Sequence, residues 1–473
     1  MRAYFYALLA LLAFEESVFS EPLALATGRK AWSCETDPMI YPGWWAEAQG
    51  VAAPEGPSYD AWRSAGPSVV KVGNGDAAKY WMYYLADQPD DTSPIPFIGR
   101  TRVLRAEASV AEPTKFFPKN VALEFWGPFA PDEDADGRVY SREYFRSSPY
   151  YGAVLPSLDD KGMPKKAASG EFAPWFMYFH TAGSALSVAI SRDGGESFQV
   201  PDTPGVNPLF PFEVSRDPAD PSKTRRGPIE PESKVYDQSA AGSGSVIRAP
   251  DGKYILYYTA RLWNNYTLDD LAASPEQVGH PDGAIPDYGI AYAESTDGIH
   301  FKRRTALSLR LTSSASKGVG RIVEPRFQRE PNGELEYVVS RPMVFRDGTD
   351  TSSGLPLYRM VVSSHSKTYR VRTLHSTDLI NWEWDPSPAE GLFGFGKPGS
   401  FDDSSTSYAS CLREDLGDRQ EYRCWYTGNR YGHYTASKTG IGYCSSEVPS
   451  KVAGPANSPH RKRLIGEASD FGK

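Results

Sequence analysis

No dense run of lysine or arginine interrupts the 473-residue chain, and 51 basic residues against 59 acidic ones leave a formal charge of −8. That balance argues against a protein whose main partner is nucleic acid or an anionic membrane, and a neutral or small partner is expected. Beyond the first residues no apolar run is long enough to span a bilayer. Cysteine is scarce, four in all, and no two stand as Cys-x-x-Cys, which argues against a thiolate metal site. The hydrophobic and charged shares, 40% and 23%, rule out disorder, collagen and coiled coil. What the chain does have is aromatic rings and turn formers: 28 Tyr, 22 Phe and 11 Trp beside 42 Gly and 39 Pro. This favours β structure with ring-lined surfaces.

Arg2 precedes an apolar stretch from Ala3 to Phe14, followed by Glu15, Glu16 and the small Ser20. Residues 1–20 read as a secretory signal, so the mature protein is expected to be secreted, or periplasmic in a bacterium. Cysteines pair in such compartments. Cys411 and Cys424 flank a turn near Gly417-Asp418 and would face one another on a hairpin; Cys34 and Cys444 would then fasten the two ends of the fold, a pairing that sequence leaves open.

The strongest signal is periodic. Aromatic or apolar strands recur at Trp81–Tyr84, Phe176–Phe179, Ile255–Tyr258, Glu336–Val339 and Cys424–Thr427. Each follows a shorter run, centred on Val69, Leu155, Val246, Phe327 and Cys411, at intervals of 86, 91, 81 and 84 residues. Asn74-Gly75, Asp251-Gly252 and Asn332-Gly333 supply turns between the two strands. Small and apolar third strands follow from Val103, Leu186, Tyr288, Arg370 and Thr439. Turns reading SRDGGESF from Ser191, STDGIHF from Ser295 and STDLINW from Ser376 lead to Phe198, Phe301 and Trp382, which would pack between neighbouring sheets. The expected fold is all-β, a five-bladed β-propeller of four-stranded antiparallel blades over residues 56–450. Residues 21–55 form a leader and 451–473 a polar tail. Polar, Pro-rich insertions at 125–148, 201–233 and 263–286 would project as loops.

The blade pattern, above all GSGSVIRAPDGKYILYYTAR from Gly242 and YGIAYAESTDGIHFKR from Tyr288, resembles the five-bladed propeller glycoside hydrolases of families 43 and 32. The resemblance spans about Asp60 to Glu447 at the level of blades. It implies hydrolysis of glycosidic bonds in a pocket on the propeller axis, often of furanosides, by one carboxyl group that protonates the leaving oxygen and another that activates water or attacks carbon. RIVEPRF from Arg321 resembles the family segment bearing the general acid, which makes Glu324 the candidate. Asp60, Asp237 and Asp402 stand nine residues before Val69, Val246 and Cys411; Asp237 is the preferred partner and Asp60 the next, although each Asp equally suits a structural turn. Arg63, Arg146, Arg321, Asp402 and Asp403 are candidate substrate-binding residues. The pattern breaks at Gly66-Pro67, where the family carries an Asp-Pro pair that supplies the base.

A twelve-residue stretch from Asp132 to Glu143 fits a calcium loop, with ligands expected from Asp132, Asp134, Asp136, the backbone of Arg138, Tyr140 and Glu143 around the turn at Gly137. Pro128 and Pro131 argue against an entering helix, so the ion would be structural. The leading expectation is a secreted, monomeric glycoside hydrolase acting on a poly- or oligosaccharide. Its alternatives are a non-catalytic carbohydrate-binding propeller and a sialidase-like enzyme using Arg63, Arg146 and Arg321.

Overall fold

The computed structural model describes residues 31–49, 59–61, 63–88, 100–124, 149–181, 186–201, 203, 206, 207, 209, 210, 212–217, 220–228, 240–261, 266, 267, 284, 285, 288–304, 313, 321–330, 333–365, 368–429 and 439–448. A short β1 (Ser33–Cys34) and α1 (Trp44–Ala48) come first. The first sheet is β2 (Arg63–Val72), β3 (Lys79–Gln88), β4 (Arg100–Ser109) and β5 (Phe117–Leu123), in that order. The second is β6 (Pro149–Leu155), β7 (Trp175–Thr181) and β8 (Leu186–Ser191), with Gln199 bridging Ile190 at its outer edge. A hairpin of β9 (Phe212–Asp217) and β10 (Asp220–Pro228) lies in the second insertion.

In the third sheet, β11 (Ala240–Arg248) and β12 (Tyr254–Arg261) are followed by the small pair β13 (Tyr266–Thr267) and β14 (Ala284–Ile285), then by β15 (Tyr288–Ser295) and β16 (Lys302–Arg304). The fourth is β17 (Val338–Thr349), β18 (Pro356–His365), β19 (Tyr369–Ser376) and β20 (Glu383–Trp384), touching the third through one parallel pair, Tyr288 with Val338. The fifth is β21 (Ser405–Asp415), β22 (Gln420–Asn429) and β23 (Thr439–Glu447), completed by β1 from the leader. The first strands β2, β6, β11, β17 and β21 neighbour one another in turn and β21 neighbours β2, which closes a ring. The fold is a β-propeller.

Strand alternation explains the aromatic excess. Tyr80, Met82 and Tyr84 of β3 enter one hydrophobic layer with Trp425 of the fifth sheet, while Trp81 and Tyr83 enter another with Trp175 and Met177 of the second. Strands β7, β12, β18 and β22 divide their alternate residues between two layers in the same way. Each middle strand is therefore apolar on both faces, and at about 1.5–3 kcal/mol per buried large side chain these layers dominate the fold's stability.

A clip recurs three times between sheets. The Tyr83, Tyr178 and Tyr257 hydroxyls donate to the carbonyls of Gly195, Gly298 and Leu379, at 2.7, 2.8 and 2.5 Å. Those carbonyls belong to the turns that Ser191, Ser295 and Ser376 hold together with Asp193, Asp297 and Asp378. Phe198, Phe301 and Trp382 meet the same three tyrosines edge to face, as the turn sequences imply.

In the fourth sheet the strands differ from expectation. Phe327 is not in a first strand; it sits in an irregular lead-in at φ +49°, and the Gly333 turn closes a small bridge between Arg329 and Leu335. Val338 and Val339 begin the first strand, and Pro356–His365 is the second. A local turn signal and an apolar pair imitated a blade start here, before the inward bulge that every first strand requires.

The leader joins the last sheet to the first. Ser33 and Cys34 pair with Ser445 and Cys444, and the Met39 N–H bonds the Ile441 carbonyl at 2.8 Å. Trp44 and Trp45 of α1 are buried in the layer that holds Tyr84 and Trp425. Cys34, Cys444, Cys424 and Cys411 form one row across the fifth sheet, with disulfides Cys34–Cys444 and Cys411–Cys424.

Candidate functional site on the propeller axis

All five first strands carry the same irregularity. Their registers shift at Gly66, Tyr151, Ser243, Arg341 and Tyr408, whose φ angles are +59, +46, +45, +55 and +51°. A bulge takes a backbone N–H out of the ladder, and that group must find another acceptor. Four do so on the second strand of the preceding sheet: Gly66 on Thr427 Oγ1 (2.8 Å), Ser243 on His180 Nδ1 (3.2 Å), Arg341 on Thr259 Oγ1 (2.8 Å) and Tyr408 on Ser363 Oγ (2.9 Å). Two residues on, Ser68, Ser245 and Ser410 accept N–H groups of Val154, Val344 and Val69 from the next first strand in the ring.

The bulges line an axial cavity of about 60 Å³, whose walls include Gly66, Tyr151, Ser243, Arg341 and Tyr408. Tyr151 and Tyr408 stack at 4.3 Å between ring centres. They meet across the first sheet because Gly66 has no side chain. A Cβ at residue 66 would lie 2.3 Å from Tyr151 Cδ1, so Tyr151 occupies the space that a side chain at residue 66 would take. Conformation alone does not demand glycine there, since the four equivalent residues carry side chains at similar φ.

The Arg341 guanidinium lies 3.9 Å from the Tyr408 ring centre, 5.3 Å from that of Tyr151 and 5.5 Å from that of Tyr369. It donates to Tyr369 Oη at 3.3 Å and Ser340 Oγ at 3.2 Å, while its buried Nε has no hydrogen-bond partner among the described residues. Burial weighs against this charge, but Tyr408, Tyr369 and Tyr151 outweigh it and hold the group firmly protonated. Burial pushes the Tyr369 phenol up to about 12 and Tyr408 well above its usual range, so both are neutral hydrogen-bonding groups and not phenolate nucleophiles. His180 is pushed down to about 3 by burial and then by Arg341. Because its Nδ1 accepts the Ser243 N–H, the neutral ring carries its proton on Nε2.

Of the carboxylates named from sequence, Asp60, Glu324, Asp402 and Asp403 do not line this cavity and have their own partners. Asp60 is fully buried and accepts the Trp45 N–H at 3.1 Å, capping the first turn of α1 from outside the helix. Arg63 pairs with Asp87 at 3.6 Å. Asp402 is fully buried and accepts the Tyr426 hydroxyl at 2.7 Å; Asp403 accepts the Gly399 N–H at 2.6 Å. Glu324 is buried and held by both arms of Arg321, with Nε to Oε1 at 3.0 Å. Their segment runs beside β15, where Val323 bridges Ile290, and Arg321 crosses Gly289 so closely that a Cβ there would stand 2.4 Å from its Cδ. Arg326 pairs with Glu336 and Glu330. Asp237, Arg146 and the stretch from Asp132 to Glu143, with Asp134, Asp136, Arg138 and Tyr140, lie outside the described residues. Among the described residues no three His, Cys, Asp or Glu side chains are grouped to hold a metal ion.

Sequence reasoning missed Arg341, Tyr369, Tyr408 and His180. Setting Arg341-Pro342 against Gly66-Pro67, in place of Phe327, would have brought out Arg341 and Tyr408 together.

No protein-family model and no curated protein matches the chain. Among solved structures, it is similar to one described as a glycoside hydrolase, with TM-score 0.49 and 12% identity over 94% of this chain and 97% of that one. A second is an N-acetylgalactosamine deacetylase from F. plautii in complex with blood group B trisaccharide, at TM-score 0.44 and 15% identity over 88% and 96%. A third is a glycosyl hydrolase from Bacteroides ovatus, at 0.45 and 13% over 89% and 93%. These likenesses assign no activity to the chain.

Proposed function

We propose that the protein is a glycoside hydrolase that cleaves O-glycosidic bonds of a poly- or oligosaccharide at the axis of the propeller. The observation that carries this is the axial cavity itself, where every first strand contributes a wall and stacked tyrosines stand beside Ser243 and Arg341. Flat rings suit sugar faces, and the polar groups suit their hydroxyls. The blade-level resemblance to propeller glycosidases, furanosidases among them, points the same way. Glu324 is the proposed proton donor and Asp237 the proposed second carboxyl group. Arg321 would have to release one oxygen of Glu324 for proton transfer. Asp60 is the weaker choice of partner, since its carboxylate caps α1.

A non-catalytic carbohydrate-binding propeller is the second reading, favoured by Tyr151 filling the place of a base at residue 66. A sialidase-like reading is less well served, because Arg63 and Arg321 already pair with Asp87 and Glu324. Secretion and a structural calcium ion at Asp132–Glu143 belong to the proposal as well. The deciding experiment is a screen of the purified protein on aryl furanosides, aryl pyranosides and plant and algal polysaccharides, repeated with Glu324→Gln. Turnover abolished by that change supports the hydrolase and its acid. Binding without turnover across the panel selects the second reading.

A further inference from the structure

We propose that Arg341 makes the axial cavity a subsite for the carboxylate of an acidic sugar, so that the glycan recognised is a uronate-containing one. This rests on the carbohydrate reading above and names its substrate class.

The cavity holds a fixed positive charge. Among the described residues Arg341 has no carboxylate partner; its contacts there are the Tyr408, Tyr151 and Tyr369 rings and the oxygens of Tyr369 and Ser340. Ring quadrupoles stabilise a cation without neutralising it, so its charge stays uncompensated by them at the cavity wall. His180, the neighbouring titratable group, is neutral and does not offset that charge. The described wall residues, including Ser68, Ser243 and Ser410, contribute hydroxyls and backbone but no acidic side chain. The Arg341 Nε–H has no hydrogen-bond acceptor among the described residues, and a guanidinium can pair with both oxygens of a carboxylate through two adjacent donors. Size agrees: about 60 Å³ admits a few water-sized groups, enough for a carboxylate but not for a pyranose ring. The ring would then lie outside, over Tyr151 and Tyr408, which are half-buried.

The test is calorimetric binding of the full-length protein to oligogalacturonate, oligoalginate and heparosan oligosaccharides, each against its carboxyl-reduced, neutral form. The expected result is that at least one acidic series binds tenfold or more tighter than its reduced form, that the difference shrinks as salt rises, and that Arg341→Met removes it. Arg341→Lys, which keeps the charge but not the fork, should retain part of it. Equal binding of acidic and reduced forms overturns the proposal, as does unchanged binding of the acidic form by a folded Arg341→Met. Where Arg341→Met does not fold, the acidic and reduced forms on the unaltered protein decide alone. Binding of neutral glycans only overturns this proposal and leaves the carbohydrate reading standing; no binding of either kind overturns both.

Discussion

Replacing Gly66 by alanine tests how the axis is built. At φ +59° an L-residue costs about 1–2 kcal/mol. The larger effect is steric, because the new Cβ would stand 2.3 Å from Tyr151 Cδ1 and 3.0 Å from Cε1. Ordinary contact needs at least about 3.4 Å, so the ring must move by about 1 Å and give up its stack with Tyr408. Overpacking of this kind costs about 1–3 kcal/mol, for a total near 2–5 kcal/mol. Tyr151→Ala removes the obstacle, so in that background Gly66→Ala should cost only the conformational part, about 1–2 kcal/mol. Urea unfolding of the two single variants and the double variant gives the coupling directly, expected at about 1–3 kcal/mol. Additivity within about 0.5 kcal/mol would refute the claim that Tyr151 excludes a side chain at residue 66. It would also remove the physical reason why Gly66→Asp cannot install a carboxylate on the axis while Tyr151 is in place.

Three further outcomes are expected. Cys34→Ser should destabilise the protein more than Cys411→Ser, because the first bridge closes a separation of 410 residues and the second one of 13, about 6 against about 3 kcal/mol on loop entropy; urea midpoints in the opposite order would count against the leader's role as a clasp. His180, near 3 when folded and near 6.5 when unfolded, binds more protons in the unfolded chain between those values, so stability should fall as pH drops from about 6.5 towards 3, by up to about 4–5 kcal/mol. Gln can still accept the Ser243 N–H, so His180→Gln should flatten that part of the stability curve, and an unaltered curve would assign it to other groups. Chelation should lower the melting temperature, and Asp134→Asn with Asp136→Asn should abolish the effect; a melting curve indifferent to chelator removes the calcium proposal.

Much of the blade architecture was legible because its signals are local. Alternation in WMYY, FMYF and ILYY marks middle strands buried on both faces, and SRDGGESF and STDGIHF mark turns that a Ser and an Asp hold together. Cys411 and Cys424 could be paired because a separation of 13 residues sets them opposite one another on a hairpin. The fourth sheet was misread because the turn at Gly333 lies before the bulged first strand and not after it, so Val338 and Val339, which look like a second strand, open the first. Of the site, the carboxylates at constant offset were visible, yet Asp60 and Asp402 spend their oxygens on α1 and on Tyr426.

From its sequence alone the chain determined that it is a turn-rich β protein of repeating sheets, because strand alternation and turn chemistry act over a few residues. The tertiary structure decided what stands on the axis. Gly66, Tyr151, Ser243, Arg341 and Tyr408 have no one residue type and no one short-range pattern common to all five; only ring closure of five first strands makes their bulges converge. It also decided that a missing side chain in one strand is filled by a tyrosine from the next, and that the charge at the centre is an arginine held by rings.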